Sequence, residues 1–256
     1  MLAQLSDPHL GADPVHGEAR LAAAVAAVAA LEPAPDAVLV SGDLTDHGTA
    51  TEYARVRALL APLRMPVHVL PGNHDDRAAL RAAFPVDPGA TALHGPGEDP
   101  AARYRYAVRC GPLRLVACDS IRPGHDDGSL GEDGLAWLDA ALADDPSVPT
   151  IVALHHPPLV FGMPALDAIG LPGSERAALA RLLGRHPQVR RVVGGHLHRT
   201  AFGVVGSCPL VVGPSVHTTI KLQLGAAGYE AAPDPPAILV HALAGGELVT
   251  HVQSVT

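Results

Sequence analysis

Seven side chains with oxygen or imidazole donors follow five short apolar runs of the sequence. The runs end in "SDPH", "SGDLTD", "PGNHDD", "LHHPP" and "GGHLH". The seven residues are Asp7, His9, Asp43, Asn73, His155, His196 and His198. Carboxylate, amide and imidazole donors without a thiolate suit divalent transition metals. Seven donors are too many for one ion and suit a pair, which in hydrolases lies about 3.5–4 Å apart and clamps attacking and leaving oxygens.

Each motif is weak evidence by itself, because Gly, Asn and Asp are ordinary turn residues and the chain has 15 histidines. Five polar turns in a row are harder to explain structurally, since each buried cluster would need its own hydrogen-bond partners. We expect Asp43 to bridge the two ions through its two carboxylate oxygens. Asn73 would fill a coordination position without cancelling the positive charge that attracts an anion, as a further carboxylate would.

The hydrophobic pattern predicts the elements that position these residues. Apolar, β-branched runs predict strands at 1–6, 36–41, 66–70, 150–155 and 189–195. Helices are predicted over 17–31, 49–63, 76–84, 132–144 and 174–186. A Thr49-x-x-Glu52 capping box begins the second of these helices. Alternating strands and helices indicate parallel pairing, and ligands gather where parallel strands end.

The remaining chain is predicted to form hairpins and loops. We expect a hairpin from 102–109 and 113–119, a surface loop at 86–101 and a Gly/Asp loop over 122–134. After residue 200, short strands alternate with Gly/Pro turns, including a strand in "VHTTIKLQL" and a loop over 226–236. No repeat or linker is visible. We therefore expect one domain over 1–256, α/β to about residue 198 and β-rich from about 199.

Composition limits the classes of function. The chain has 256 residues, of which 48% are hydrophobic, and a net charge of −8, which argues against a nucleic-acid binder with a broad basic surface. Its three cysteines form no CxxC pair, which is typical of a reducing cytosol. No apolar run reaches 18 residues, and a first strand from Met1 or Leu2 leaves no room for a signal peptide. These features predict a cytoplasmic protein without membrane association.

The five motifs together resemble the signature of the calcineurin-like metallophosphoesterase superfamily. The stretches "DLTDHGTATEY", "PVHVLPGNHDD", "ALHHPPL" and "GPSVH" resemble its class III cyclic-nucleotide phosphodiesterase branch, which includes glycerophosphodiesterase-like enzymes. This resemblance implies an α/β fold, a four-layer α/β/β/α sandwich of two mixed β-sheets flanked by helices. It also implies two divalent metal ions, with manganese or iron expected and cobalt or zinc as alternatives.

The resemblance further implies hydrolysis of small phosphodiesters, cyclic nucleotides such as cAMP or glycerophosphodiesters, by a hydroxide that bridges the metals. By position, the ligands of one metal would be Asp7, His9, Asp43 and His198. The ligands of the other would be Asp43, Asn73, His155 and His196.

Four further residues and one segment acquire expected roles from the same resemblance. His74 would act at the leaving group, as general acid or as a hydrogen-bond donor, and Asp46 would orient it. His156 and His217, together with Asn73, would lie on the phosphate side, although a structural role for either histidine is equally open. Segment 157–173 is expected to govern substrate choice, so replacing Phe161 or Met163 by Ala should shift relative kcat/KM among substrates at unchanged metal content.

One departure from a sister branch bears on the substrate. Ser/Thr protein phosphatases carry arginine after the "GDxxD" aspartate and glutamate after "GNH", whereas this chain has His47 and Asp75. An arginine clamp benefits a monoester dianion more than a diester monoanion, so diesters are favoured. The alternatives are a phosphomonoesterase or pyrophosphatase, a nuclease, or a non-catalytic scaffold of the same superfamily. A homo-oligomer is also compatible with the resemblance.

Overall fold

The computed structural model describes residues 1–13, 15–86 and 102–255. The surface loop predicted at 86–101 therefore lies, beyond Val86, outside the described residues. The first part of the chain alternates strands and helices: β1 (Leu2–Leu5), α1 (Gly17–Ala29), β2 (Ala37–Ser41), α2 (Ala50–Leu60), β3 (Val67–Leu70) and α3 (Arg77–Ala83). The middle part contains β4 (Tyr106–Cys110), β5 (Leu113–Cys118), β6 (Ile121–Arg122), β7 (His125–Gly128), α4 (Gly131–Asp144) and β8 (Thr150–Leu154).

The last part is richer in strands. It contains α5 (Pro164–Asp167), α6 (Gly173–Leu183), β9 (Val189–Gly194), β10 (Ala201–Val205), β11 (Cys208–Val212), β12 (Thr219–Ile220), β13 (Ala231–Ala232), β14 (Ala237–Ala244) and β15 (Glu247–Ser254). Among the helices described, none is long and apolar enough to cross a bilayer. All three cysteines are buried and free of disulfides.

Two mixed sheets dominate the fold. One has the order β15-β14-β1-β2-β3, and the other has the order β10-β11-β9-β8-β5-β4. Parallel strands β1, β2 and β3 lie together in the first sheet, as do β5, β8, β9 and β11 in the second. The added strands pair antiparallel. The predicted pair of mixed sheets flanked by helices is therefore confirmed.

Alternating side chains divide the interior into two cores. In β5, Leu115 and Ala117 pack into the core between the two sheets, which also receives residues from α1, α2 and α3. Their neighbours Val116 and Cys118 pack on the opposite face, against α4 and α6. Successive strand residues point to opposite faces, so a central strand must be apolar throughout to cover both. This explains why the central strands read as continuous Val, Leu and Ala.

Most predicted elements are confirmed, including the capping box of α2, in which Thr49 and Glu52 bond each other's backbone. The predicted 122–134 loop is partly wrong, because it contains the β6–β7 hairpin and the start of α4. Contacts from distant residues hold this hairpin: Arg77 donates to the Ile121 carbonyl, and His156 donates to the Asp126 carbonyl. Because these contacts come from residues far away in the sequence, the local sequence pattern did not predict the hairpin.

The strand predicted in "VHTTIKLQL" is mostly wrong as well. Only Thr219 and Ile220 pair there, with Ala231 and Ala232, inside the stretch predicted as a loop. The neighbouring side chains Leu222 and Leu224 are exposed, so their apolar character reflects no buried strand.

Candidate metal centre

The candidate ligands meet where five strands of the two sheets end. From the first sheet, Asp7 and His9 follow β1, Asp43 follows β2 and Asn73 follows β3. From the second sheet, His155 follows β8, while His196 and His198 follow β9. The site is therefore assembled from both sheets, and all seven predicted ligands lie in one cluster.

The backbone is strained at five of these ligands. Positive φ angles occur at Asp7 (51°), His9 (42°), Asp43 (48°), His196 (70°) and His198 (52°). No other non-glycine residue in the described part of the chain has a positive φ. Such conformations cost about 1–3 kcal/mol each and persist where the surrounding structure imposes them, which is typical of functional sites. The strain here turns consecutive polar side chains toward one point.

The first ligand cluster surrounds a point between Asp7, His9, Asp43 and His198. The Nε2 atoms of His9 and His198 lie 3.0 Å apart. Asp43 Oδ2 lies 3.3 Å from His9 Nε2, and Asp7 Oδ1 lies 3.6 Å from His198 Nε2. One donor atom of each residue therefore points into a common space.

The second cluster is adjacent and shares Asp43. Asn73 Oδ1 lies 3.2 Å from His155 Nε2 and 3.1 Å from His196 Nδ1. Asp43 Oδ2 lies 3.3 Å from His155 Nε2, the same distance as from His9 Nε2. Asp43 Oδ1 instead accepts a hydrogen bond of 2.9 Å from the His74 backbone N–H. The bridging geometry therefore differs from the expectation: one oxygen of Asp43 faces both clusters, not two.

Three candidate ligand histidines have the hydrogen bonds that are typical of metal-binding histidines. Each of three rings presents Nδ1 to a fixed acceptor: His9 to Asp46 Oδ1 (3.0 Å), His155 to the Ser41 carbonyl (2.9 Å) and His198 to the Thr218 carbonyl (2.9 Å). These acceptors hold a proton on Nδ1, so loss of any second proton, from Nε2, would present the Nε2 lone pair to a metal ion. Metal-binding histidines are held in this way.

The pKa shifts of the candidate ligands also fit a metal site. Burial alone would lower the pKa of His9, but Asp43 and Asp46 raise it to about 10. Burial is likewise outweighed at His155, where Asp43 raises the pKa to about 9. The same histidines hold the pKa of Asp43 well below its usual range, despite its burial. Without metal, the two imidazoles carry protons that balance the carboxylates; divalent ions would replace those protons.

Asp46 and His74 are close, but their arrangement differs from the expected pair. The Asp46 carboxylate lies 3.0 Å from His9 Nδ1 and 3.5 Å from His74 Nδ1. His74 Nδ1 donates instead to the Asp46 backbone carbonyl at 3.0 Å. The Asp46 side chain therefore orients a candidate metal ligand first, while its main chain orients His74. The His74 ring stays partly exposed and lines the pocket.

His156 and His217 occupy different environments. His156 is fully buried, with Nδ1 2.9 Å from Ser120 Oγ and Nε2 3.1 Å from the Asp126 carbonyl. Because both ring nitrogens already have hydrogen-bond partners, the geometry favours a structural role for His156 over phosphate binding. His217 lines the pocket, and its Nε2 has no hydrogen-bond partner. Burial, followed by nearby His9, lowers its pKa to about 4, which leaves it a neutral ring.

Asp75 has a structural role that the sequence did not reveal. Its buried carboxylate accepts from the backbone N–H groups of Leu44, Thr45 and Gly72 and from the Tyr53 hydroxyl. It thereby joins the loop after β2 to the loop after β3. Burial and the Asp43 charge raise its pKa to about 6. Gly72 is required beside it, because a Cβ there would lie 2.2 Å from Asp43 Oδ1.

A cavity of about 420 Å³ opens over the ligands. One wall consists of Leu166 and Ile169, from and just after α5. Further apolar lining comes from Ile220, Tyr229 and Ala231 of the β12–β13 hairpin. No arginine or lysine is among the described residues that line it.

Segment 157–173 thus reaches the pocket, but through residues other than Phe161 and Met163. Phe161 packs against the core beneath α4 and α6, and Met163 belongs to that core. Neither side chain is among the described residues that line the cavity, so an effect of Phe161 or Met163 on substrate choice would be indirect and stays a prediction. Their apolar character serves burial, whereas Leu166 and Ile169 face the cavity.

Comparison with known proteins agrees with this geometry. The sequence profile described as Calcineurin-like phosphoesterase matches residues 1–200. The chain belongs to that family. Its members hold two divalent metal ions.

Two relatives and one solved structure show the extent of the likeness. "Glycerophosphodiester phosphodiesterase GpdQ" of Enterobacter lignolyticus is 33% identical over 262 residues, covering 99% of this chain and 91% of that protein. "3',5'-cyclic adenosine monophosphate phosphodiesterase CpdA" of Pseudomonas aeruginosa is 32% identical over 238 residues, covering 90% of this chain and 80% of that protein. A dimetal phosphatase from Danio rerio shares the fold, with a TM-score of 0.71, 16% identity and coverage of 100% of this chain and 96% of that one.

Proposed function

We propose that this protein is a phosphodiesterase that uses two divalent metal ions to hydrolyse small phosphodiesters. The observation that carries the proposal is the convergence of two ligand clusters on one shared oxygen, Asp43 Oδ2. The ligands of the first ion are Asp7, His9, Asp43 and His198. The ligands of the second ion are Asp43, Asn73, His155 and His196.

When bound, such a metal pair activates a water nucleophile and stabilises charge on the attacking and leaving oxygens. The residues around the metal pair would donate to the leaving group, bind a phosphate oxygen and hold a metal ligand in place. His74 Nδ1 donates to the Asp46 carbonyl, so the imidazolium form of His74 would donate a proton or hydrogen bond from Nε2 to the leaving group. His217 is neutral and lines the same cavity, and its Nδ1 lies 2.9 Å from Thr218 Oγ1. In the tautomer in which that hydroxyl donates to Nδ1, the unpartnered Nε2 carries the proton and would donate to a phosphate oxygen. His9 is kept in place by the Asp46 carboxylate.

The pocket supports a diester in preference to a monoester. A monoester dianion is best held by arginine, and none lies among the described lining residues. His47, at the position where protein phosphatases carry that arginine, hydrogen-bonds Glu52 at 2.8 Å and does not line the cavity. The named activities of the relatives, on cyclic nucleotides and glycerophosphodiesters, both involve diesters.

Between these two substrate types, the apolar walls favour a cyclic nucleotide. The lining residues Ile169, Ile220 and Tyr229 offer apolar surface for a planar base, and ligand pockets of about 300–1,000 Å³ are typical for small molecules. A glycerol substituent would leave these side chains without an apolar partner. The mixed nitrogen and oxygen donors suit manganese or iron, and also accept cobalt or zinc.

Cysteine use and net charge bear on the compartment of the protein and on the size of its substrate. We propose a cytoplasmic enzyme, in line with three free, buried cysteines. At a net charge of −8, extended nucleic acid is disfavoured as a substrate. Residues 1–256 are proposed to act as one domain.

A substrate panel tests the proposal. Metal-stripped protein reconstituted with a single metal should hydrolyse bis(p-nitrophenyl) phosphate faster than p-nitrophenyl phosphate at matched pH. Among natural diesters, cAMP should exceed glycerophosphoethanolamine in kcat/KM. A clear preference for the monoester would assign the protein to a phosphatase, and no hydrolysis by the reconstituted protein would support a scaffold.

A further inference from the structure

A line of buried polar side chains runs between the two sheets, away from the candidate metal ligand Asp7. Its members lie in a core built mainly of Val, Leu and Ala. In order from the ligand they are Ser6, Ser41, Gln4, His241 and Thr250. The first four are at most 1% exposed, and Thr250 is half-buried. Ser6 and Ser41 are the first residues of the motifs "SDPH" and "SGDLTD", whereas Gln4, His241 and Thr250 lie outside the five motifs.

Near the ligand, the donors point toward Asp7. Ser6 Oγ donates to Asp7 Oδ2, at 2.5 Å. Ser41 Oγ donates to Ser6 Oγ at 2.8 Å, and Gln4 Nε2 donates to Ser41 Oγ at 2.8 Å. The carboxylate of Asp7 thus ends a chain of three polarised hydrogen bonds.

Farther from Asp7, each hydrogen bond of the network again has its donor on the side away from that carboxylate. Gln4 Oε1 lies 3.0 Å from His241 Nε2, so that ring nitrogen carries the proton. His241 Nδ1 then accepts from Thr250 Oγ1, at 2.9 Å. Burial lowers the pKa of His241 to about 3, which keeps this ring neutral and the pattern of donors unchanged near neutral pH. Aligned hydrogen bonds strengthen one another in a low-dielectric interior.

Gln4 also joins the two sheets. Its Nε2 donates a second bond of 2.9 Å to the Gly194 carbonyl, at the end of β9. The loop that begins there carries His196 and His198. The Ser41 carbonyl, at the end of β2, accepts from His155 Nδ1. Gln4 therefore fixes the strand ends that carry ligands from both sheets.

Two glycines pack closely against the polar side chains of this line. A Cβ on Gly195 would lie 2.2 Å from Ser6 Oγ and 2.8 Å from Asp7 Oδ2. A Cβ on Gly213 would lie 2.8 Å from Gln4 Nε2. Glycine at both positions leaves room for the polar side chains. The His196 backbone N–H donates to both Asp7 oxygens, at 3.0 and 3.2 Å, so the loop, Ser6 and Asp7 form one unit.

We propose that Gln4, Ser6, Ser41 and His241 are positioning residues for the metal centre, which hold Asp7 and the two sheets in the geometry that binds both ions. Apolar residues would fill this core without any need for hydrogen-bond partners, whereas buried polar groups are stabilising only when every partner is satisfied. The proposal rests on the proposed metal centre. It assigns the network to metal affinity, beyond any contribution to folding.

Metal binding to isosteric variants tests this assignment. Ser6→Ala removes the hydroxyl that holds Asp7, and Gln4→Met removes the link between the sheets at similar side-chain length. Mn²⁺ dissociation constants from calorimetry should rise about 10- to 100-fold in both variants, the range for residues that support metal ligands. The absorption spectrum of the Co²⁺-loaded protein should also change, because the ligand geometry changes.

Thr150→Val is the matched control. Thr150 is fully buried at the start of β8, the end of that strand away from the site, and its hydroxyl donates to the Val148 carbonyl at 2.8 Å. This variant should lower the melting temperature of the metal-free protein but keep the wild-type Mn²⁺ affinity and Co²⁺ spectrum. Wild-type affinity in Ser6→Ala would overturn the proposal, even if Gln4→Met failed to fold. Absence of Mn²⁺ binding by the wild-type protein would instead refute the metal centre itself.

Discussion

At the scale of single residues, Asp43 has the most connections in the site. Its Oδ2 faces both ligand clusters, and its Oδ1 holds the His74 backbone. Asp43→Asn should therefore reduce occupancy of both metal positions together, measured as metal per chain after gel filtration. Asp139→Asn, an exposed carboxylate on α4, should retain wild-type metal content. Two ions at full occupancy in Asp43→Asn would refute the bridge.

His74 is expected to act on the leaving group without holding a metal. His74→Ala should keep both ions and lose about 10²- to 10⁴-fold in kcat, the usual contribution of a general acid. The loss should be larger for alkyl than for nitrophenyl leaving groups, because an alkoxide needs the proton more. His47→Ala, which changes an exposed imidazole outside the pocket, is the control. Equal losses for both leaving groups would make His74 a phosphate-binding residue, and metal loss would make it a ligand.

Metal binding should release protons at neutral pH. The raised pKa values of about 10 for His9 and about 9 for His155 mean that both rings are protonated at pH 7 in the metal-free protein. Metal needs their lone pairs, so binding at pH 7 should release two protons, and apparent affinity should rise with pH up to about 10, less steeply above about 9. Calorimetry in buffers of different ionisation enthalpy measures the release. A value near zero at pH 7 would contradict this protonation state.

At the scale of elements, the strand ends were the most predictable feature. Each ligand follows an apolar run, and the ends of parallel strands necessarily meet at one edge of a sheet. The sequence did not predict the β12–β13 hairpin, which pairs two residues on each strand. Nor did it predict the hairpin of β6 and β7, held by Arg77 and His156. Such short pairings depend on contacts with distant residues, which leave no local pattern.

These short elements form the walls that should select the substrate. Tyr229→Ala and Ile169→Ala should each lower kcat/KM for cAMP relative to glycerophosphoethanolamine by about tenfold, the equivalent of about 1.4 kcal/mol of lost contact with a planar base. Metal content should not change. Val160→Ala, in the same segment as Ile169 but exposed and outside the pocket lining, is the control. Equal losses for both substrates would assign these walls to support of the site.

At the scale of the whole molecule, the site depends on the packing of two sheets. The sequence predicted the sandwich through its family resemblance, and the seven ligands through their motifs. It did not indicate Ser6, Gln4 or His241 as part of the site. Gln4 and His241 are far apart in the chain and become neighbours only through the long-range pairing of β1 with β14. Likewise, only the folded geometry shows that Asp46 contacts His9 more closely than His74.

The central claim is that one chain binds two ions and needs both for hydrolysis. The most direct measurement is titration of metal-free protein with Mn²⁺ while bound metal and bis(p-nitrophenyl) phosphate hydrolysis are followed together. We predict that activity reaches its plateau when two ions are bound per chain, and that Asp43→Asn shows no such plateau. Full activity with one ion bound, or activity independent of added metal, would contradict the account.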